Sequence, residues 1–378
     1  MKKKILYFSN SDWYLYNFRL ALAKSALQEG YEVVFVSPPG DYVNRILESG
    51  IKWLPIRLSR RGVNPLGEIA SLISLWRIVS QERPSIIHNF TIKCVLYGSF
   101  VGKLKRVGGV VNAITGLGYV YSSNTIFSKV LKNVVNIAYR NALKNTEVIF
   151  QNPDDEALLL GKKLVEKSKS HLIRGSGVDI EKFRPSRSNS EKKDICILLA
   201  SRLLWSKGVG EYIEAAKKIS NEMSQVIFQV AGDFDPGSPD AISTNTVKKW
   251  ERECGNKVEF LGHCSNMDKL IAESDIVVLP SYYGEGVPRI LIEAAASGKP
   301  LITTNMPGCK EIVINGVNGV LIEPRDSNEL YLALVQLIKD SSLRYKMGGE
   351  SRKLVCNFFS EEIVFQKTLG IYAGLSCR

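Results

Sequence analysis

One rhythm constrains this chain more than any other feature. Apolar runs of strand length alternate with helix-length stretches, and the whole alternation occurs twice. In the first half the runs are 3–8, Val33–Val36, Ile86–His88, Gly109–Ile114, Val148–Phe150 and Leu172–Ile173, with helical spacing over 15–29 and 92–104. After a polar stretch, 184–193, the pattern restarts. Strands are expected at Ile195–Ala200, Val226–Ala231, Val258–Leu261, Ile276–Leu279, Leu301–Thr303 and Gly319–Ile322, and helices at 208–220, 266–273 and 288–297. A long helical tail is expected over roughly 327–374. Short strands apolar on both faces, separated by helices, specify parallel α/β sheets. The expected fold class is α/β, with two Rossmann-like units joined by one linker and a cleft between them. The expected boundaries are 1–185, 186–358 and a C-terminal helix, 359–378, crossing back to the first unit. In open parallel sheets, ligands bind beyond the carboxyl ends of the strands. Those loops are where chemistry is expected.

Composition narrows the class. A chain of 378 residues suits two domains, and 45% hydrophobic residues exclude a disordered chain. The apolar runs fall far short of the roughly 20 residues that span a bilayer. Met-Lys-Lys-Lys leads into Ile5–Phe8, too short for a secretory core. The seven cysteines form no Cys-x-x-Cys pair, so reduced thiols in a cytosol and no structural zinc are expected. The net charge of +12 is unevenly spread. Residues 1–185 hold 27 Lys/Arg against 14 Asp/Glu, and the remainder 23 against 24. This asymmetry points to a polyanionic partner at the first half: an anionic membrane face, a diphosphate-bearing acceptor or nucleic acid. The other reading is a solvated basic surface.

The most informative local pattern runs from Pro280 to Gly298. A strand ends at Pro280, a loop containing Gly284 and Gly286 follows, Pro288 suits the first helical position, and Gly298 suits the exit. Glu285 lies just before the helix and Glu293 in its second turn. Free N–H groups at that helix end suit phosphate or sugar oxygens. Carboxylates at both ends of the element can accept hydrogen bonds from sugar or ribose hydroxyls. A second pattern, Leu199-Ala-Ser-Arg202-Leu-Leu-Trp-Ser-Lys207-Gly208, puts two cations after a strand, where they can neutralise a diphosphate.

Glu285-Gly-Val-Pro-Arg-Ile-Leu-Ile-Glu293 resembles the Glu-x7-Glu signature of glycosyltransferase family 4, retaining enzymes of GT-B architecture. Ser201-Arg202-Leu203 with Lys207-Gly208 is similar to that family's diphosphate-contacting segment. Gly175-Ser-Gly-Val-Asp179 with Phe183, Phe260-Leu-Gly262, Gly316-Val-Asn-Gly319 and the final Phe359-Ser-Glu…Tyr372 helix agree in order. The resemblance implies that Arg202 and Lys207 hold the donor's diphosphate and that Glu293 binds ribose hydroxyls. It implies that catalytic Glu285 and the Gly286 and Val287 amides contact the transferred sugar, and that Gly262 and His263 border the base. The donor it implies is a UDP-sugar (UDP-GalNAc, UDP-GlcNAc, UDP-Gal or UDP-Glc), with no metal and no cofactor required.

The first half departs from the family pattern. Ser9-Asn-Ser-Asp-Trp13 stands where many relatives have Gly-Gly, and Ala113-Ile-Thr115-Gly-Leu-Gly118 stands where many carry a His. The latter run resembles a subgroup that builds bacterial surface polysaccharide (O-antigen, capsule) on a lipid diphosphate. Asp12, Thr115 and Gly116 are the acceptor-side candidates, Asp12 being equally an N-cap of the next helix. His88 reads as a satisfied histidine rather than a base, and Asp233-Phe-Asp235, among Gly and Pro, as a turn. The segment 126–140 reads either as a core-facing helix or as an interfacial helix on anionic lipid, with a basic loop at Arg57–Arg61. The expectation is a cytoplasmic hexosyltransferase, peripheral on the inner membrane face. It would take a nucleotide-sugar donor and a lipid-diphosphate-linked glycan acceptor, and no nucleic acid. A nucleotide-sugar epimerase of the same architecture and a non-enzymatic basic membrane or nucleic-acid-binding protein are the alternatives.

Overall fold

The computed structural model describes residues 3–58, 64–117, 126–186 and 194–376, with 126–134 and 376 as backbone only. The chain divides into two compact units, Met1–Ser176 with Glu361–Arg378, and Gly177–Ser360.

The first unit alternates as β1 (Lys4–Phe8), α1 (Asp12–Gln28), β2 (Glu32–Ser37), α2 (Val43–Glu48), β3 (Lys52–Pro55), α3 (Pro65–Glu82), β4 (Ile86–Phe90), α4 (Ile92–Leu104), β5 (Gly109–Ile114), α5 (Ile126–Leu143), β6 (Glu147–Phe150), α6 (Pro153–Gly161) and β7 (Ser170–Leu172). The sheet order is β3-β2-β1-β4-β5-β6-β7, every pairing parallel. β1, β4 and β5 are buried almost throughout, because helices cover both faces of the sheet. The strand order reverses between β1 and β4, which puts the loops after β1 and β4 at the switch point.

The second unit runs β8 (Ile195–Ala200), α7 (Val209–Glu222), β9 (Val226–Ala231), α8 (Thr244–Cys254), β10 (Val258–Gly262), α9 (Met267–Glu273), β11 (Ile276–Leu279), α10 (Arg289–Ala296), β12 (Leu301–Thr304), β13 (Gly319–Ile322), α11 (Ser327–Lys339) and α12 (Ser341–Phe358). Its parallel sheet is ordered β10-β9-β8-β11-β12-β13, with the switch between β8 and β11.

The expected single tail is three helices. Asp340 ends α11 and its side chain accepts from the Leu343 N–H (2.8 Å), starting α12. α13 (Glu361–Ser376) follows and belongs to the first unit, where Val364 and Tyr372 are buried with Ile5 and Tyr7. Tyr372 Oη lies 2.5 Å from His88 Nδ1, so His88 is partnered there, while its Nε2 is buried without a hydrogen bond. Burial, and secondarily Arg19, hold the His88 pKa well below the ordinary range, which keeps the ring neutral.

The division at Ser176/Gly177 lies ahead of the expected 185/186, and the chain returns at Glu361 rather than at 359. The residues around both positions explain this. Val178 N–H donates to Phe359 O (3.0 Å), and Phe183 and Phe359 are buried in one cluster with Val355. Arg352 Nη1 donates to the carbonyls of Ile180, Phe183 and Ala296 (2.8–2.9 Å). These ties hold 177–186 and 359–360 to the second unit. Residues 187–193 of the expected linker lie outside the described residues. In the C-terminal half of α5 the core contact is made by Tyr139, Ala142 and Leu143, which are buried, whereas Ile137, on the apolar face expected to turn inward, is exposed. The side chains of 126–134, on which the interfacial reading turned, lie outside the described residues, as do Arg60 and Arg61.

Candidate functional site

The donor-side candidates converge at the carboxyl end of the second sheet. The loop after β8 closes on the end of β11 at Gly208. That residue is left-handed (φ 75°), and a Cβ there would lie 2.2 Å from Pro280 O. Only glycine fits this approach, and it sets Lys207 beside the Pro280–Pro288 loop. Lys207 Nζ lies 2.6 Å from Glu285 Oε2, both side chains being largely covered. Ser281 Oγ donates to Glu285 Oε1 (2.8 Å). Thr303 Oγ1 donates to Leu279 O (2.6 Å), and Thr304 Oγ1 to Ser281 O, so β12 braces the loop that carries Glu285.

Gly308, after β12, approaches the same loop. It has φ 87°, and a Cβ there would fall 1.7 Å from Gly286 O. Gly308→Ala is expected to destabilise the protein by about 1–3 kcal/mol through backbone strain and displacement of Gly286. This should read as a Tm several degrees lower. Gly349→Ala, at an exposed position within α12 where a Cβ meets nothing within 4 Å, should instead raise the Tm slightly, since alanine is the better helix former.

Pro288 is the residue capping α10, not its first helical residue, which is Arg289. Its backbone is extended (ψ 126°), because a proline ring restrains only φ and the loop enters the helix one residue later. Glu293 remains in the second turn. It is 8% exposed and paired with Arg289 (Nε–Oε1 2.6 Å). Burial pushes its carboxyl above the usual range, and the Arg289 charge opposes that shift. Gly298, at φ 69°, ends α10 as expected.

The loops after β9 and β10 complete the rim. Arg202 Nη1 lies 2.5 Å from Asp235 Oδ2, and His263 Nδ1 lies 3.0 Å from Asp233 Oδ2. The turn expected at Asp233-Phe-Asp235 falls one residue later, at Pro236–Gly237; Phe234 itself forms a parallel bridge with Leu203, which holds the segment extended and sets its two carboxylates beside Arg202 and His263. Gly262 (φ 62°) precedes His263. Val287 is buried in the core beneath the loop. Sequence reasoning missed Arg289, Asp233 and Asp235 as partners. It also missed Arg325, whose guanidinium sits 4.4 Å over the Tyr282 ring. The isolated Arg-x3-Glu spacing of Arg289 and Glu293 was the one available signal, since such a pair shares a helix face.

The acceptor-side candidates lie in the first unit, at the carboxyl ends of β1 and β5, with β4 between these strands. Ser11, not Asp12, caps α1: its side chain accepts from the Tyr14 N–H (3.2 Å). Asp12 is buried, and its carboxylate accepts from the Tyr42 N–H (2.8 Å), pinning the loop after β2. Thr115 and Gly116 (φ 119°) are partly covered. Gly118 lies outside the described residues.

This is a cation-bearing rim at the carboxyl end of the sheet, with Arg202, Lys207 and Arg289 each matched to a carboxylate and Arg325 stacked on Tyr282. Such a site suits an anionic, hydroxyl-rich ligand. The family model for glycosyl transferases group 1 matches residues 179–354, and that for glycosyl transferase 4-like proteins matches residues 4–152. The chain belongs to glycosyltransferase family 4. It is a glycosyltransferase of GT-B fold. It is 25% identical, over 98% of each chain, to the Campylobacter jejuni N,N'-diacetylbacillosaminyl-diphospho-undecaprenol alpha-1,3-N-acetylgalactosaminyltransferase. It is 24% identical, over 87% of this chain and 86% of the relative, to the Escherichia coli UDP-Gal:alpha-D-GlcNAc-diphosphoundecaprenol alpha-1,3-galactosyltransferase. Among solved structures, Anabaena HepE in complex with UDP and glucose superposes with a TM-score of 0.79 at 20% identity, over 98% of this chain and all of that one. The group 1 match contains both the Arg202/Lys207 loop and the Glu285–Glu293 element of this glycosyltransferase. Among its described residues no helix is long and apolar enough to cross a membrane.

Proposed function

We propose that this glycosyltransferase moves a hexose from a UDP-sugar to a glycan carried on a lipid diphosphate, with retention, during synthesis of a bacterial surface polysaccharide. The observation that carries the reading is the Lys207–Glu285 pair at the entrance to α10, within the family-matched segment. The names of the Campylobacter and Escherichia relatives support the acceptor class, and the UDP bound to HepE supports the donor.

In this reading Arg202 and Lys207 leave their carboxylate partners for the donor's diphosphate. Glu293 accepts from the ribose hydroxyls, and Gly262 and His263 border the uracil. Glu285, with the Gly286 and Val287 amides, orients the hexose. The bond from the anomeric carbon to the phosphate oxygen breaks, and a bond to the acceptor oxygen forms on the same face. The departing phosphate takes the acceptor's hydroxyl proton. Lys207 and Arg202 stabilise the charge developing on that phosphate, the preorganised electrostatics that dominates most enzymes. Asp12, Thr115 and Gly116 contribute to the acceptor side. The reaction runs without a metal or cofactor, on the cytoplasmic face of the membrane.

Calorimetry with UDP, GDP and their sugars, followed by product analysis with a lipid-diphosphate acceptor, tests this. UDP is expected to bind more tightly than GDP. The product is expected to keep the donor's anomeric configuration, and a chelator to leave the rate unchanged. Conversion of the nucleotide-sugar without any acceptor would identify an epimerase instead.

A further inference from the structure

α3 carries a feature that the donor site does not use. Its inner face, Ser71, Leu75, Ile78 and Val79, is buried. Its outer face is also apolar: Leu66, Ile69, Ile73 and Trp76 are 77%, 54%, 48% and 38% exposed. Their spacing of three, four and three residues makes one stripe along the helix. α4 packs beside α3, joined by Glu68, which pairs with Lys93 (2.6 Å) and accepts from Tyr97 Oη. α4 extends the stripe with Phe100 and Leu104, each more than half exposed. The two helices meet at the far end as well, where Lys105 Nζ sits 3.8 Å over the Trp76 ring. Six large apolar side chains on adjacent helices are a patch, unlike the scattered apolar residues of an ordinary surface.

Charge identifies what covers it. Between residues 57 and 106 the chain has nine Lys/Arg and two Asp/Glu. Both carboxylates are committed: Glu68 to Lys93, and Glu82 to Lys4 and Lys52. Arg77 on α3, Lys103 on α4, Arg57 before α3 and Arg106 after α4 are exposed, with Lys103 Nζ donating to Asn141 O. A helix pair with apolar residues outward and cations flanking them matches an anionic lipid–water interface, where rings and aliphatic chains enter the acyl boundary and cations meet headgroup phosphates.

We propose that the outer face of α3 and α4, centred on Ile69, Ile73, Trp76 and Phe100, docks on an anionic bilayer. This deepens the membrane part of the reading above and rests on its lipid-borne acceptor. Trp76, its ring already under a lysine, is the interfacial anchor, with one face to lipid and a cation held at headgroup level. The docking is peripheral and salt-sensitive, because flanking charges exposed to solvent are screened.

The test is flotation of the full chain with vesicles of phosphatidylglycerol in phosphatidylcholine, against pure phosphatidylcholine. The variants are wild type, Ile73→Ser with Trp76→Ser, and Leu332→Ser, the last being 57% exposed in the second unit. The double variant is expected to lose about tenfold or more of its partitioning into anionic vesicles. Its Tm and its transfer rate to a water-soluble, short-chain diphosphate acceptor should stay at wild-type values, and Leu332→Ser should float like wild type. Equal flotation of the double variant and wild type overturns the proposal. So does wild type that floats no better with anionic than with zwitterionic lipid, or a wild-type dimer that the double variant splits into monomers, which would make a second copy the occupant. Absence of transfer to any acceptor, with flotation as expected, counts against the enzymatic reading and leaves this surface assigned.

Discussion

Lys207→Ala is expected to reduce kcat/KM by about 10²- to 10³-fold, the loss usual when one preorganised donor to a developing negative charge is removed. Lys207 earns this rank by its surroundings. Its ammonium is largely covered, and Gly208 holds its loop against Pro280. A charge fixed under partial cover acts more strongly than one in open solvent. Arg202 is the internal comparison. Its side chain is 48% exposed, so Arg202→Ala is expected to cost less, since solvent screens its contribution. The order of the two losses, read from steady-state kinetics and from UDP affinity by calorimetry, is the result that matters. Equal losses would mean that cover does not govern the diphosphate contact. The Lys207 variant should stay folded, because Glu285 retains the Ser281 hydroxyl.

The parts of this fold legible in sequence are those in which one force acts alone. β5 and β11 are buried runs between helices, and the apolar pattern places their ends without error. α4 is bounded correctly for a similar reason, since β4 precedes it and a basic turn follows. α3 escaped notice because it is apolar on both faces: the outer stripe of Leu66, Ile69, Ile73 and Trp76 erases the period that a core-facing helix shows. α8 escaped for the opposite reason, being polar apart from Val247 and Trp250. At the site, the cations and carboxylates were identifiable one at a time because they follow strands. Their pairing was not. Arg202 and Asp235 stand on successive parallel strands' loops, 33 residues apart, and meet because Gly232 lets those loops touch: a Cβ there would lie 1.8 Å from Ser201 O. Sequence distance carries no trace of such a contact, and the strand order that creates it emerges only with the sheet.

Glu293→Gln is expected to make the protein more stable and the enzyme worse. In the ligand-free fold the Glu293 carboxylate is buried, and burial raises its pKa against the opposing pull of Arg289. The sign follows from proton linkage. Below the ordinary value of 4.5 the group is protonated in both folded and unfolded chains, and the wild type carries no penalty. As the pH rises through 4.5 the unfolded chain ionises first, and folding loses stability until the folded carboxyl has ionised as well. The Tm advantage of Glu293→Gln should therefore be absent near pH 3.5, grow as the pH rises, and level off above the folded pKa. The donor reverses the balance. A ribose hydroxyl donates to a carboxylate more strongly than to a neutral amide, and hydrogen bonds to charged groups contribute about 1.5–3 kcal/mol. The same substitution should thus lower kcat/KM by roughly 10- to 100-fold, and UDP should raise the Tm of wild type more than that of the variant. A buried carboxylate kept ionisable at a cost to the empty fold is what a ligand contact requires, and a residue present only for packing has no such requirement. If Glu293→Gln is neither more stable at neutral pH nor less active, Glu293 is an ordinary member of a helix, and the ribose contact must be sought elsewhere.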